Sequence, residues 1–346
     1  MANIGAAAVR EEALQTARQW MQKYLVVDGL GAAATTENAA RGWMSGGVNA
    51  VNWTVAGHGS TAKEAAMNMV ARDWLVKRLP DRVIVATSVA DIEQARRDGK
   101  LAVVQGWQGA EALEDDYHWL EVFYKLGLRI LQFTYNDENR LGYGCLEPND
   151  PGLKRYGIDI LQDCNRLGIL VDCSHVGERT SLDTIEMSST PCIFSHSNPK
   201  GVRSNPRNIS DEQIRSCASR GGVIGATCFS DFVADTSDCR RPTVMDWVRH
   251  VDYLVDLAGI DHVGIGTDIL ANPGGAIWWD NNTGRQYRDI SGGMTYEMHS
   301  IEGFDHSHAN FPLLVGALVE QGYKEQDVAR IIGGNWLRVY REAWDS

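Results

Sequence analysis

Two histidines stand in matching contexts, each directly after a serine at the end of an apolar run: Val171-Asp172-Cys173-Ser174-His175 and Ile193-Phe194-Ser195-His196. A neutral imidazole can bind a metal or move a proton. One strand-end histidine is usually structural, whereas two on adjacent strands in the same local setting point to shared chemistry. A carboxylate closes a third run, Val263-Gly264-Ile265-Gly266-Thr267-Asp268, whose small residues let the backbone approach a ligand. His175, His196 and Asp268 therefore make a candidate divalent-metal half-site, with Asp268 also open to a role as general base or as a plain loop cap. Arg207, in Asn205-Pro206-Arg207-Asn208, has the chemistry to clamp a carboxylate bidentately, but from these residues alone it reads better as a solvated surface arginine. His250 and His262 flank a helix and a strand start, where core or surface roles are expected.

Such residues need a frame that brings them together. Eight short, nearly continuous apolar runs alternate with helical stretches: Leu25–Leu30, Val48–Val55, Leu101–Trp107, Arg129–Tyr135, Gly168–His175, Pro191–His196, Gly222–Cys228 and His262–Asp268. Continuous burial and a strand–helix rhythm predict parallel strands in an α/β protein, and the count predicts a closed (β/α)8 TIM-type barrel. In such barrels the chemistry sits at the C-terminal strand ends, here Leu30, Trp53, Trp107 with Gln108, Tyr135, His175, His196, Cys228 and Asp268. Helices are expected at Lys63–Arg78, Asp91–Asp98, Asp115–Leu126, Tyr156–Leu167, Glu178–Met187 and Asp211–Ser219, with Ser210 and Asp91 as caps. The expected organisation is one domain over 1–346, with an N-terminal helix, a long loop at 269–310 over the site, and an amphipathic C-terminal helix at Glu325–Ala343. Within or beside that loop, Asp305-His306-Ser307-His308 carries two further imidazoles, expected to be exposed loop histidines.

Composition narrows the partners. The chain has 346 residues, 44% hydrophobic and 23% charged, with a formal net charge of −12. That charge repels a phosphate backbone and no basic run offsets it, so nucleic acid is not expected. No apolar stretch approaches the roughly 20 residues of a bilayer span, and the Ala-rich start lacks a signal-peptide pattern. A soluble cytoplasmic enzyme acting on a small molecule is expected, its seven cysteines reduced.

In order along the chain, Leu126-Gly127-Leu128-Arg129, Asn165-Arg166-Leu167-Gly168, the two serine–histidine runs, Arg207-Asn208, His262 to Asp268 and Gly333-Gly334-Asn335-Trp336-Leu337-Arg338 resemble signatures of the membrane (renal) dipeptidase family, zinc-dependent amidohydrolase-like barrels. The similarity runs from about Leu25 to Trp344. It implies that His175 and His196 are zinc ligands, that Arg207 holds the substrate carboxylate, that Asp268 contacts the reacting water, and that the protein is a homodimer. Members of the family hold two zinc ions, using a His-x-Asp pair on the first strand and a bridging Glu. Here the first pair reads Leu30 and Ala32, the bridging position reads Gln108, and the family's strand-four histidine reads Tyr135. A dinuclear centre is therefore not expected, and one Zn2+ or other divalent ion is the most the site should hold.

The resulting expectation is a hydrolase of amide bonds in a dipeptide-like or N-acyl substrate. His175, His196 and Asp268 would serve a metal, Asp268 could instead be the general base, Tyr135 would polarise or protonate the reacting group, and Gln108 and Arg207 would contact substrate. Two alternatives stay open: lyase, decarboxylase or isomerase chemistry on an aromatic or cyclic molecule in a pocket lined by Trp53 and Trp107, and a metal-free binding protein.

Overall fold

Continuous apolar runs become buried parallel strands, but not the closed barrel that their number suggested. The computed structural model describes residues 9–32, 36–235, 241–269, 300–304 and 308–344. Its strands are β1 (Val27–Gly31), β2 (Ala50–Gly57), β3 (Val83–Val85), β4 (Leu101–Gln108), β5 (Leu128–Gln132), β6 (Leu170–Asp172), β7 (Ile224–Ala226) and β8 (Val263–Ile265). Every residue of β1, β4, β6, β7 and β8 is buried, as expected of strands covered on both faces.

Strands β1-β2-β4-β5-β6 form an open, curled half-barrel of five parallel strands with edges 10 Å apart, which replaces the expected closed (β/α)8 barrel. The short β3, absent from the sequence reading because it is a run of three residues, pairs with the first half of β4, and β5 pairs with its second half. Strands β7 and β8 form a separate two-stranded sheet. The expected strand Pro191–His196 supplies only isolated parallel bridges, Asp172 to Ile193 and Phe194 to Ile224. Its last residues spend their bonding groups on side chains rather than on a ladder. Beyond β8, the Asp268 N–H reaches the Leu30 carbonyl at 3.1 Å.

Helices cover the sheet and start where the capping chemistry dictates. Four of them, at Ala62–Arg78, Val89–Arg97, Asp211–Ser219 and Val244–Ala258, open with capping boxes on Thr61, Ser88, Ser210 and Thr243. Asp91 is thus the reciprocal partner of the Ser88 cap rather than the cap itself. The expected C-terminal helix is interrupted: Glu325–Ala329 and Asn335–Trp344 are joined by a π-helical turn, Arg330–Gly334. That turn directs the Asn335 amide to the carbonyls of Ile260 and Val263, and the Trp336 indole to that of Ile265, plugging the base of β8. Among the described residues, no helix is long and apolar enough to cross a membrane.

One point of close packing fixes where His196 stands. A Cβ added to Gly225 or Gly266 would run into the carbonyl oxygen of Ser195, and one on Gly29 would lie 2.9 Å from it. The Ser195 backbone and the Trp336 ring fill this part of the interior. Gly266→Ala should therefore cost about 3 kcal/mol, as an overpacked core site does, whereas Gly59→Ala should act only through its backbone conformation, because its Cβ meets nothing within 4 Å. Denaturant unfolding of both variants checks this, and a Gly266→Ala protein as stable as the parent would refute the packing account.

Candidate functional site

Both histidines lie where β6 and the segment after it leave the sheet, and each ring is steered through its Nδ1. His175 Nδ1 lies 2.7 Å from the Asn136 side-chain oxygen, which can only accept, so Nδ1 carries the hydrogen. His196 Nδ1 lies 2.6 Å from Ser195 Oγ, whose own hydrogen goes to the Asp172 carboxylate. Asp172 also accepts from the backbone N–H groups of Ser174 and Ser195 at 2.9 and 3.0 Å. With both Nδ1 atoms committed as donors, both Nε2 atoms present lone pairs, and they face each other at 3.0 Å.

Two facing lone pairs repel unless a cation or a shared proton lies beside them. Tetrahedral zinc with two nitrogens at about 2.05 Å would place those nitrogens about 3.3 Å apart, close to the spacing seen. The pair supplies two ligand atoms only: among the described residues no group of three or more His, Cys, Asp or Glu side chains could hold a metal, so the expected set of His175, His196 and Asp268 is not assembled as a metal centre. Leu30 is a buried apolar residue at the first-strand position, and the amide of Gln108 lies 3.0 Å from His196 Nε2 at the bridging position.

Burial sets the electrostatics. Both imidazoles are held well below the ordinary 6.5, first by desolvation and then by the nearby Arg207 guanidinium, with His196 adding to the effect on His175. Arg207 is buried, not solvated; its Nη1 donates to Ser197 Oγ at 3.0 Å and its Nη2 to the His196 carbonyl at 2.8 Å. Its Nε has no partner among the described residues. Arg207 and His175 line one cavity of about 240 Å³ together with Cys145 and Lys200. Asp268, partly exposed, has its carboxyl pushed up to about 7 by desolvation, with Arg207 opposing and Asp28 adding to the rise. Tyr135 stacks on His175 at 4.0 Å between ring centroids.

The structure therefore gathers His175, His196, Gln108, Tyr135 and Arg207, while among the described residues no hydrogen bond joins the Asp268 side chain to either imidazole. Trp53 and Trp107 do not make an aromatic pocket floor. Trp107 packs edge-on against Phe123 at 4.4 Å, and Trp53 lies against Trp43 and the Arg72 guanidinium in the helix layer. Alternation along β4 explains this, because Gln108 faces the histidines and its neighbour must face away. His308 is fully buried rather than exposed, its ring tilted against Trp43 at 4.1 Å between centroids and its Nε2 3.9 Å from Asp28 Oδ2. His306, and residues 270–299 of the expected loop, lie outside the described residues. His250 and His262 bond the carbonyls of Val233 and Gly222, the structural roles expected.

Sequence reasoning missed Asn136, Ser195 with Asp172 as a relay, and Asp28, which accepts from Thr267 and Trp43. A backbone signal accompanies the site: of the four described non-glycine residues with positive φ, Asn136 (63°), His175 (65°) and Asp268 (53°) belong to it.

Because both imidazoles are depressed in the folded state, the unfolded chain binds more protons below the ordinary value. Stability contributed by these groups is present above about 6.5 and is lost as pH falls. Arg207→Met should raise both histidine pKa values, His196 included, in an NMR titration. Unmoved values would refute the electrostatic role given to Arg207.

Comparisons with known proteins identify the family. The family model described as membrane dipeptidase (peptidase family M19) matches residues 30–281. A solved amidohydrolase from Pseudomonas aeruginosa is 32% identical with a TM-score of 0.88, covering 95% of this chain and 99% of that one. An uncharacterised protein in the pqqA 5' region of Klebsiella pneumoniae is 30% identical over 78% of this chain and 92% of its own length. Dipeptidase verJ of Clonostachys rogersoniana is 30% identical over 77% of this chain, which spans 61% of that protein. On the family match and on these identities, the chain belongs to the membrane dipeptidase family, peptidase family M19.

Proposed function

We propose that this protein hydrolyses the amide bond of a small dipeptide-like or N-acyl substrate with a free carboxylate, and that it uses at most one divalent ion, zinc being the chemically suited choice. The observation that carries the reading is the buried Arg207, whose Nε has no partner among the described residues and which lines the same cavity as His175. A buried guanidinium without a carboxylate is costly, and an anionic substrate group would relieve that cost. The names of the amidohydrolase and dipeptidase relatives support the same reaction class.

His175 and His196 would hold the ion through Nε2, and the ion would supply Lewis acidity to the scissile carbonyl. The remaining tasks fall to the chain. Arg207 fixes the substrate by its carboxylate, so that the amide is presented to the imidazole pair. Asn136 and Ser195 keep both rings in the tautomer with Nε2 unprotonated. Asp268, with its carboxyl near 7, can take up or release a proton at neutral pH, the condition for general acid–base work. Tyr135 covers one face of His175 and keeps water from it.

The homodimer implied by the family resemblance belongs to this proposal. Met67, Val70 and Trp74, all exposed, form an apolar stripe on the helix Ala62–Arg78 that a second copy could cover. Trp74→Glu should then shift sedimentation toward the monomer, and an unchanged distribution would exclude this stripe as the interface.

A panel of dipeptides and N-acyl amino acids, each with its carboxyl-amidated counterpart, tests the reaction. Free acids should be cleaved and amidated forms should lose about 100-fold or more in kcat/KM, a loss that Arg207→Met reproduces for the free acids. If zinc binds and no member of the panel is cleaved, the hydrolase reading falls and non-peptidase chemistry replaces it.

A further inference from the structure

His58 follows β2 directly and Glu111 comes shortly after the end of β4, so both stand at the edge of the sheet that carries Gln108. A turn holds the chain around His58: the Gly57 N–H meets Ser60 Oγ at 3.1 Å, and the Ser60 N–H meets the Gly57 carbonyl at 3.1 Å. Glu111 is anchored through Asn139, whose Nδ2 donates to Glu111 Oε1 at 3.4 Å and to the Phe133 carbonyl at 2.7 Å. Its carboxylate lies over Gly109, where a Cβ would run into it. His58 Nδ1 lies 3.7 Å from Glu111 Oε1, with only 26% and 22% of the two side chains exposed. Glu111 raises the His58 pKa above its ordinary value, with burial opposing and Asp137 adding to the rise. The imidazole so fixed packs against Tyr135, ring centroids 6.0 Å apart and planes inclined at 33°, within the range of aromatic pairs. Tyr135 in turn stacks on His175 at 4.0 Å and 23°.

We propose that His58, held by Glu111, is a positioning residue for the reaction: its ring fixes Tyr135 against His175 and so keeps the His175 imidazole covered and in place. The inference rests on the hydrolytic reading above, in which Tyr135 shields His175, and extends it to the pair that steadies Tyr135. Chain order explains why such a pair is needed. Strand β5 ends at Gln132, so Tyr135 stands beyond its ladder, and the next residue, Asn136, turns the backbone away in the left-handed region. A ring outside the ladder is placed by the side chains that touch it. His58 cannot swing from Tyr135 without parting from the Glu111 carboxylate, and that carboxylate is itself tied through Asn139 to the segment that leads into Tyr135.

The test begins with NMR on the whole chain. In the unsubstituted protein the Tyr135 ring protons should show NOEs to both His58 and His175, and the His175 ring protons should carry a ring-current shift from Tyr135, readouts that need no variant to fold. His58→Ala should abolish that shift, and His58→Phe, which keeps a ring, should retain it. In His58→Ala kcat should fall about 10- to 100-fold, the loss expected when a reacting group is misplaced by about 1 Å. KM for free acids should hardly move, because Arg207 is untouched, and His58→Phe should recover most of the lost kcat. Glu111→Ala should fall part of the way, and the double variant should be no slower than His58→Ala, since Glu111 acts through His58. A ring-current shift that survives His58→Ala, or a double variant much slower than His58→Ala, would overturn the positioning role. If the shifts respond as expected while neither the parent nor any variant cleaves a member of the panel, the placing of Tyr135 by His58 stands and the hydrolase reading fails.

Discussion

The site depends on a buried carboxylate that touches no substrate. Asp172 ends β6 and accepts from the backbone of Ser174, the backbone of Ser195 and the Ser195 hydroxyl. These bonds join two chain segments that share only an isolated bridge as regular pairing. Desolvation raises the Asp172 carboxyl above its ordinary value, and the hydrogen bonds from Ser195 and Ser174 oppose the rise. Asp172 aims the His196 ring through the Ser195 hydroxyl and ties the backbone before both histidines, while Asn136 steers the His175 ring.

A second constraint is charge. A pair of metals needs anionic ligands to offset its own charge, and this site lacks them at Leu30, Ala32 and Gln108. What surrounds the histidines instead is an amide and a guanidinium. Imidazoles next to a fixed cation stay neutral over a wide pH range, which suits acceptors better than proton donors. The Asp268 carboxyl is pushed up to about 7 by desolvation, with Arg207 opposing the rise.

How much of this was legible beforehand follows from the range of each interaction. Parallel strands and most helices are encoded within a few residues of themselves, so apolar runs and caps located them. Closure of the barrel is not local: counting eight runs could not show that Pro191–His196 would give its polar groups to side chains, or that three-residue strands would part into separate sheets. His175 and His196 could be picked out because their setting is written in the chain, whereas Arg207 and Gln108 took their site roles from the family resemblance. The burial of Arg207 and His308 could not, since each depends on neighbours far away in sequence, Ser197 with the His196 carbonyl for one and Trp43 with Asp28 for the other. Asn136 left a faint trace, because asparagine is among the few residues that accept a left-handed backbone after a strand.

The glycines around the Ser195 carbonyl have a consequence for how such a protein can change over time. With Gly29, Gly225 and Gly266 pressed against one oxygen, no side chain can be added beneath the histidines. The floor of the site is closed to variation, and a lineage that explores new substrates can do so only from the rim, by exchanging residues such as Cys145 and Lys200 that line the cavity without supporting the floor. Inherited differences in specificity among relatives of this chain should therefore collect at the mouth, over a foundation that stays the same.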